Sequence, residues 1–215
     1  MPGIEEFVGK VIQGDCREVM SGMPAESVDL VFADFPFRPR AGGSGLLGWN
    51  AALAEQFHRV LKPTGSLYVL NNPLNLAKVL GAYSKFVLRN VITTPRHYKY
   101  VPFGGRMYAM RHNLLLFFVK DRERYYFDPD CGRVFTDVWD DVHYAVRGRD
   151  VGSIPEEIAR RSLLASTRPG DVVLDPFAGF GTVAAVAKKL GRRFIGIELD
   201  PARCRMARER LARVE

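Results

Sequence analysis

The sequence predicts an α/β fold in which helices cover both faces of a doubly wound, mostly parallel sheet. Strand and helix patterns alternate along the chain, and several strand patterns are short apolar runs rich in β-branched residues. The chain has 215 residues, enough for one sizeable core. We therefore expect a single domain over residues 1–215, because no low-complexity linker and no internal repeat divides the sequence.

The elements of the first half are the easiest to place. Residues 28–33 form a short apolar run that predicts a buried strand, and a Gly- and Arg-rich loop follows over residues 38–48. Residues 49–61 have helical spacing, and the stretch from Lys62 to Gly65, which contains a proline, ends that helix. Residues 66–70 then predict the next strand.

The second half shows a less regular middle and a regular end. The middle predicts two strands around a Gly- and aromatic-rich loop, followed by loop or short elements: 86–94, 114–120 and 125–153. The end predicts a helix, a strand–glycine loop–helix unit, a strand and a basic terminal helix: 155–165, 172–190, 194–197 and a helix from Pro201.

Positive charge is concentrated in one stretch of the chain. The formal net charge is +7. Residues 85–125 hold nine cations against the two carboxylates of Asp121 and Glu123, so this stretch alone carries the excess: Lys85, Arg89, Arg96, Lys99, Arg106, Arg111, Lys120, Arg122 and Arg124. A concentrated basic segment indicates a polyanionic partner, and nucleic acid is the prediction.

Composition also bounds the other classes of partner. No apolar run approaches the ~20 residues of a membrane span, and the first residues resemble no targeting signal. We expect a cytoplasmic monomer or homodimer without a membrane partner. The three cysteines and four histidines have no ligand spacing, so no metal site is predicted. The excess of Arg over Lys fits a thermophile or a GC-rich genome.

The stretch from Asp171 to Thr182 predicts a cofactor site. A buried strand runs into a tight GxG turn, where the missing side chains let the backbone approach a ligand. A dinucleotide site would need a third glycine, and Asp175 would repel a pyrophosphate. The same carboxylate suits the ammonium group of S-adenosylmethionine. Glu198 ends the next strand, at a spacing typical of a ribose-binding acid. The alternative is a purely structural turn.

A second motif, Asp34-Phe35-Pro36-Phe37, follows the strand at 28–33. The Asp34 carboxylate and the Phe35 carbonyl can accept the two hydrogens of an aromatic amine, and Phe37 can stack on its ring. Such contacts would orient the amine toward a methyl donor, and a base in a duplex would have to be flipped out. An ordinary strand-end turn is the alternative.

These motifs resemble the amino-methyltransferase family of DNA modification methylases, the N6-adenine/N4-cytosine group with the catalytic motif before the cofactor motif. The resemblance covers nearly the whole chain, in the family's order: GDCREVM (14–20), ESVDLVFADFPF (26–37), EQFHRVLKPTGSLYV (55–69), RHNLLLFFVK (111–120), DVW (137–139) and IPEEIARRSLLASTRPGDVVLDPFAGFGTVAAVAKKLGRRFIGIELD (154–200). It implies a Rossmann-like methyltransferase fold with S-adenosylmethionine as cofactor. Residues 1–70 would then be the catalytic-motif half, 85–125 the basic substrate-facing segment and 154–215 the cofactor-binding half.

The resemblance also implies roles for individual residues. The catalytic motif would be Asp34, Phe35, Pro36 and Phe37. The loop around the methionine moiety would hold Asp175, Phe177, Ala178, Gly179 and Gly181, with a further contact from Thr182. Glu198 would bind the ribose hydroxyls, and Asp15 would lie near the adenosine. The chain departs from the family at Phe35, where the pattern has Pro, and at Asp150-Val151, where it often has His-Pro.

The substrate stays open between several classes. A basic, aromatic-rich face would bind nucleic acid through phosphate contact and stacking: Arg96, Lys99, Tyr100, Arg106 and Arg111. The resemblance implies cytosine N4 or adenine N6 in DNA. A structured RNA, as for a ribosomal RNA N4-cytidine methyltransferase, is the alternative because no separate recognition domain is evident. A non-catalytic nucleic-acid-binding module, which Phe35 suggests, and a small-molecule or protein methyltransferase are further alternatives.

Overall fold

The computed structural model describes residues 3–35, 45–100, 103–144 and 153–214, with backbone only for 45–49, 97–100 and 103. Its strands are β1 (Lys10–Gln13), β2 (Val28–Asp34), β3 (Leu61–Asn71), β4 (Val87–Tyr100), β5 (Met110–Val119), β6 (Val172–Asp175) and β7 (Arg193–Glu198). Its α-helices are α1 (Cys16–Ser21), α2 (Gly45–Val60), α3 (Leu76–Ala82), α4 (Pro129–Val134), α5 (Glu156–Ser166), α6 (Thr182–Lys189) and α7 (Pro201–Ala212).

The seven strands form one sheet in the order β1-β7-β6-β2-β3-β5-β4. The first five strands in this order are parallel, and β5 runs antiparallel to both of its neighbours. Strands β6 and β7 therefore lie toward one side of the sheet and the β4–β5 hairpin lies at the other. The predicted doubly wound, mostly parallel sheet is confirmed.

The central strands are buried on both faces, which explains their continuous apolar runs. Along β2, Leu30 and Phe32 join the core under α5, α6 and α7. The alternate residues Val31 and Ala33 join the core under α1, α2 and α3. Because side chains alternate across a strand, one run supplies both cores.

No helix in the described part of the chain is long and apolar enough to cross a membrane.

Several elements differ from the sequence-based expectation. Helix α2 begins at Gly45, inside the stretch 38–48 that was expected to be a loop, and ends at Val60, one residue before the expected end. Strand β3 begins at Leu61, earlier than expected, and Leu61 pairs with Val28 before the register shifts. Strand β1 and helices α1 and α3 were not expected, because elements of four to seven residues are too short to show a periodic pattern. The middle segment contains the six-residue helix α4, which agrees with the expected loop or short elements.

Candidate active site

The carboxyl ends of four parallel strands meet around a cavity of about 590 Å³. Its walls come from Gly14–Arg17 after β1, Asp34 and Phe35 from β2, Asp175–Phe180 after β6, and Ile197–Pro201 after β7. The carboxyl edge of an open parallel sheet is where such folds bind ligands. Of the catalytic and cofactor residues that the sequence predicts, this cavity brings together Asp15, Asp34, Phe35, Asp175, Phe177, Ala178, Gly179, Thr182 and Glu198, which lie up to 183 positions apart (15 to 198).

Asp175 is a buried carboxylate at the centre of this edge, with 4% of its surface exposed. The Phe177 backbone N–H donates to its Oδ1 at 3.0 Å. Burial raises the pKa of Asp175 to about 8, and the neighbouring carboxylates of Asp34 and Glu198 contribute to the rise. A cation placed next to Asp175 would relieve this unfavourable burial of negative charge.

Glu198 fixes the glycine loop from the neighbouring strand. Its Oε2 accepts the Gly179 N–H at 2.8 Å, and its Oε1 accepts the Asp200 N–H at 2.8 Å. Gly179 has a φ of +51°, a conformation that costs a residue with a side chain roughly 1–2 kcal/mol. A Cβ at Gly179 would meet only the Phe177 carbonyl oxygen, at 3.8 Å, so its surroundings are otherwise open.

Gly181 has a different reason to be glycine. Its φ is +76°, and a Cβ there would lie 3.0 Å from the Ala207 Cβ on α7. Gly181 is not among the residues that line the cavity, so the structure assigns it to packing against α7. The next residue, Thr182, does line the cavity, and its Oγ1 accepts a hydrogen bond from Arg210 at 3.2 Å.

Asp15 begins helix α1 beside the cavity. Its side chain accepts from the Arg17 backbone N–H at 2.9 Å and pairs with the Arg17 guanidinium at 2.6 Å. The side-chain hydrogen bond from Arg17 lowers the pKa of Asp15. The neighbouring Cys16 thiol is buried, and burial raises its pKa to about 12, so it is not a nucleophile at neutral pH.

Asp34 is the last residue of β2 and faces the cavity. Burial of its carboxyl group raises the pKa of Asp34 to about 7, and the charge of Arg96 opposes the rise. Phe35 follows, with its ring 5.1 Å from that of Phe177 and 6.3 Å from that of Tyr83. The bulky ring at the family's proline position is therefore packed into the core, with 5% of its surface exposed. Pro36 and Phe37 lie outside the described residues.

The predicted nucleic-acid face is only partly described. Arg106 and Arg111 are exposed near the carboxyl edge, and Tyr108 is 98% exposed. For Lys99 and Tyr100 only the backbone is described. Arg96 is partly buried and contacts Asn113 and Tyr144, so it is not an outward-facing phosphate contact in this structure.

The basic segment is divided between two edges of the sheet. Val87, at the start of β4, pairs with Val119, at the end of β5. This end of the hairpin lies at the edge of the sheet opposite the cavity. At that edge Lys85 pairs with Glu55 at 2.7 Å, and Lys120 with Glu26 at 3.3 Å. Only the turn end of the hairpin, which carries Arg106 and Arg111, lies on the cavity's edge. The predicted substrate-facing role is therefore geometrically available only to that end.

Sequence reasoning did not single out Ser153, which lines the cavity just before α5. Its Oγ is buried and has no hydrogen-bond partner in the described part of the chain. An isolated serine in a polar stretch gives no sequence signal, because only the fold places it at the cavity. Within the described ranges, no group of three or more His, Cys, Asp or Glu residues could hold a metal ion.

Comparison with known proteins shows similarity to DNA methylases, which agrees with the family resemblance of the sequence motifs. The model of the DNA methylase family (N6/N4 type) matches residues 28–209. The chain is 32% identical to the type II methyltransferase M.BamHI of Bacillus amyloliquefaciens, over 95% of the chain and 57% of that protein. It is 31% identical to the DNA adenine methyltransferase YhdJ of Escherichia coli K12, over 94% of the chain and 82% of that protein.

A solved structure extends the similarity to a cofactor complex. The protein TTHA0409 of Thermus thermophilus, complexed with S-adenosyl-L-methionine, superposes with a TM-score of 0.77 at 28% identity. The match covers 95% of this chain and 93% of that one. Fold, cavity and comparisons together define an S-adenosylmethionine-dependent methyltransferase. Within this class, the chain belongs to the N6/N4 DNA methylase family. The predictions of family, fold and cofactor are confirmed.

Proposed function

We propose that this chain transfers a methyl group from S-adenosylmethionine to the exocyclic amino group of cytosine or adenine in DNA. The observation that carries the proposal is a pair of carboxylates, the half-buried Asp34 and the buried Asp175, at the ends of the adjacent parallel strands β2 and β6. Asp34 suits an amine that must be oriented, and Asp175 suits a cationic cofactor.

The cavity fits the cofactor on three counts. The enclosed Asp175 carboxylate would regain its charge beside the methionine ammonium group. The buried Ser153 hydroxyl would gain the partner that it lacks in the described residues. The open space at Gly179 would let the backbone approach the ligand, while Glu198, held by Gly179 and Asp200, keeps lone pairs for ribose hydroxyls.

The residues of the chain would position the target amine. When bound, S-adenosylmethionine supplies an electrophilic methyl group. The Asp34 carboxylate and the Phe35 carbonyl would accept the two amine hydrogens, which turns the nitrogen lone pair toward that methyl. The packing of Phe35 on Tyr83 and Phe177 would fix the carbonyl relative to the cofactor loop. A duplex base would be flipped out to reach Asp34.

Cofactor binding is the first test. We expect isothermal titration to detect S-adenosylmethionine binding to the wild type and to lose it in Gly179→Arg, whose side chain would enter the cavity. Gly170→Arg is the matched control, because Gly170 also has a positive φ (+86°), is exposed and has open space where a Cβ would lie. Equal losses in both variants would attribute the effect to backbone strain and contradict the proposed site.

Methyl transfer is the second test. We expect radiolabel to pass from the cofactor to DNA, and Asp34→Ala to abolish the transfer while it still binds the cofactor. Mass spectrometry of nucleosides from DNA and from ribosomal RNA of a deletion strain would then identify the base. Loss of a methylated base only from RNA would overturn the DNA assignment, and absence of any transfer would favour a non-catalytic module.

A further inference from the structure

The turn end of the β4–β5 hairpin places a group of polar side chains on the same edge of the sheet as Asp34. Strand pairing sets this arrangement: Asp34 lies opposite Leu70 of β3, and the following Asn71 lies opposite Leu114 of β5. The preceding residue of β5, Asn113, lies opposite Thr94 of β4. The polar residues Asn71, Asn113 and Thr94 thus lie at the edge of the sheet that also carries Asp34.

These side chains form one hydrogen-bonded network around Arg96. The Arg96 guanidinium donates to Asn113 Oδ1 and lies 5.8 Å from the centre of the Tyr144 ring. Asn113 Nδ2 donates to the Tyr144 hydroxyl at 3.3 Å, which also lies 3.0 Å from Thr94 Oγ1. Thr94 and Asn113 are buried. The guanidinium is therefore held by side chains that are themselves fixed, rather than extended into solvent.

Three ionisable groups in the described part of the chain interact with the Asp34 carboxylate. Two of them are Asp175 of β6 and Tyr144: burial raises the pKa of each, and the charge of Asp34 adds to the rise. Arg96 of β4 is the cation among them, and its charge lowers the pKa of Asp34 against the effect of burial. An amine acceptor must be ionised to act, so the cation favours the active form of the carboxylate.

We propose that Arg96 is a positioning residue for methyl transfer, held by Asn113 and Tyr144 so that its charge favours the carboxylate form of Asp34, which accepts the target amine. This rests on the proposed function, because it assigns Asp34 the role of amine acceptor. It also replaces the expected role of Arg96 as a phosphate contact. The β4–β5 hairpin then supplies cations for two purposes. Arg96 acts on Asp34, and exposed residues such as Arg111 contact the nucleic acid.

The pH dependence of kcat/KM separates these two roles. With S-adenosylmethionine kept saturating at every pH, the wild-type rate should fall as pH drops through about 7, the pKa of Asp34. In Arg96→Gln we expect the midpoint to move up by about one pH unit, because a nearby opposite charge typically lowers a carboxyl pKa by 1–3 units. Arg96→Lys should restore most of the shift. Arg111→Gln, which removes an exposed cation from the same hairpin, should weaken DNA binding without moving the midpoint.

A titration of Asp34 itself does not depend on activity. Carbon-13 NMR of the side-chain carboxyl group, assigned with Asp34→Asn, should show a higher pKa in Arg96→Gln than in the wild type. Tyr144→Phe, which keeps the cation but removes its support, should show a smaller rise, and it serves as the second variant if Arg96→Gln does not fold. Unchanged Asp34 titration in the variants would overturn the inference. A shifted titration in a protein without methyl transfer would instead reject the proposed function.

Discussion

The cofactor side and the catalytic side of the cavity are built in different ways. Most of the proposed cofactor side comes from one contiguous stretch, residues 175–200, and is held by backbone N–H groups that donate to Asp175 and Glu198. The catalytic side is assembled from side chains of β2, β4, β5 and the segment at Tyr144. A contiguous loop with backbone contacts tolerates little change in its glycines, whereas a side-chain network can be altered one member at a time.

The largest expected effect is on the cofactor side, at the packing glycine. Gly181→Ala should lower the free energy of unfolding by roughly 2–5 kcal/mol, because a positive φ and overpacking against Ala207 both cost energy. Gly9→Ala, with a φ of +77° and no atom within 4 Å of its Cβ, should cost only the backbone part. Urea unfolding of both variants measures the difference, and equal losses would show that the contact with Ala207 does not matter.

The second-largest effect is the pH dependence of stability that Asp34 and Asp175 cause. Both have pKa values raised by burial, to about 7 for Asp34 and about 8 for Asp175. Between pH 4 and 8 the folded protein therefore binds more protons than the unfolded chain, so its stability falls as pH rises. Without cofactor, we expect a loss on the order of several kcal/mol across this range, because each unit of raised pKa contributes about 1.4 kcal/mol. A flat stability profile in urea titrations would contradict the raised pKa values, and Asp175→Asn should reduce the slope.

Cofactor affinity should depend on the same Asp175 proton. A cationic ligand needs the ionised carboxylate, so the dissociation constant of S-adenosylmethionine should rise about tenfold between pH 7 and pH 6. Calorimetry in buffers of different ionisation enthalpy should also show proton release on binding at pH 7. The isosteric control is Asp175→Asn, in which binding should be weaker and nearly independent of pH. A wild type with the same flat dependence would exclude Asp175 from contact with the ammonium group.

The smallest expected effect is on the catalytic side. Tyr144→Phe removes two hydrogen bonds, to Thr94 and Asn113, and should cost about 1 kcal/mol of stability. Tyr68→Phe is the comparison, because it removes one buried hydrogen bond, to Ser166, away from the cavity. We expect similar thermal destabilisation in both, but a changed pH profile of activity only in Tyr144→Phe. If the pH profile of activity also changed in Tyr68→Phe, the change in Tyr144→Phe would be a general result of lower stability.

The sequence predicted most of the cofactor side because the information there is local. The strand–glycine loop–helix pattern located Asp175, Gly179 and Glu198, and all three lie on the cavity. Within the loop, however, the sequence could not separate two glycines with the same motif signature. Gly179 faces open space at the cavity, and Gly181 packs on Ala207, which lies 26 residues away in the chain.

The catalytic side was predicted less completely. The motif at Asp34 and Phe35 was found, but the departure from the family's proline at Phe35 left a non-catalytic module as an alternative. Its contacts with Tyr83 and Phe177 come from elements far apart in the chain. Arg96 was grouped with the other cations of residues 85–125 because a sequence shows charge but not direction.

The amino-acid sequence by itself determined the α/β class, the order of the two motifs and the residues at both strand ends, because strand periodicity and glycine turns are properties of neighbouring residues. Only the tertiary structure decided which cations face the carboxyl edge, which carboxylates are buried together and which glycine is required by packing. Those properties depend on strand register and burial, which bring together residues from opposite ends of the chain.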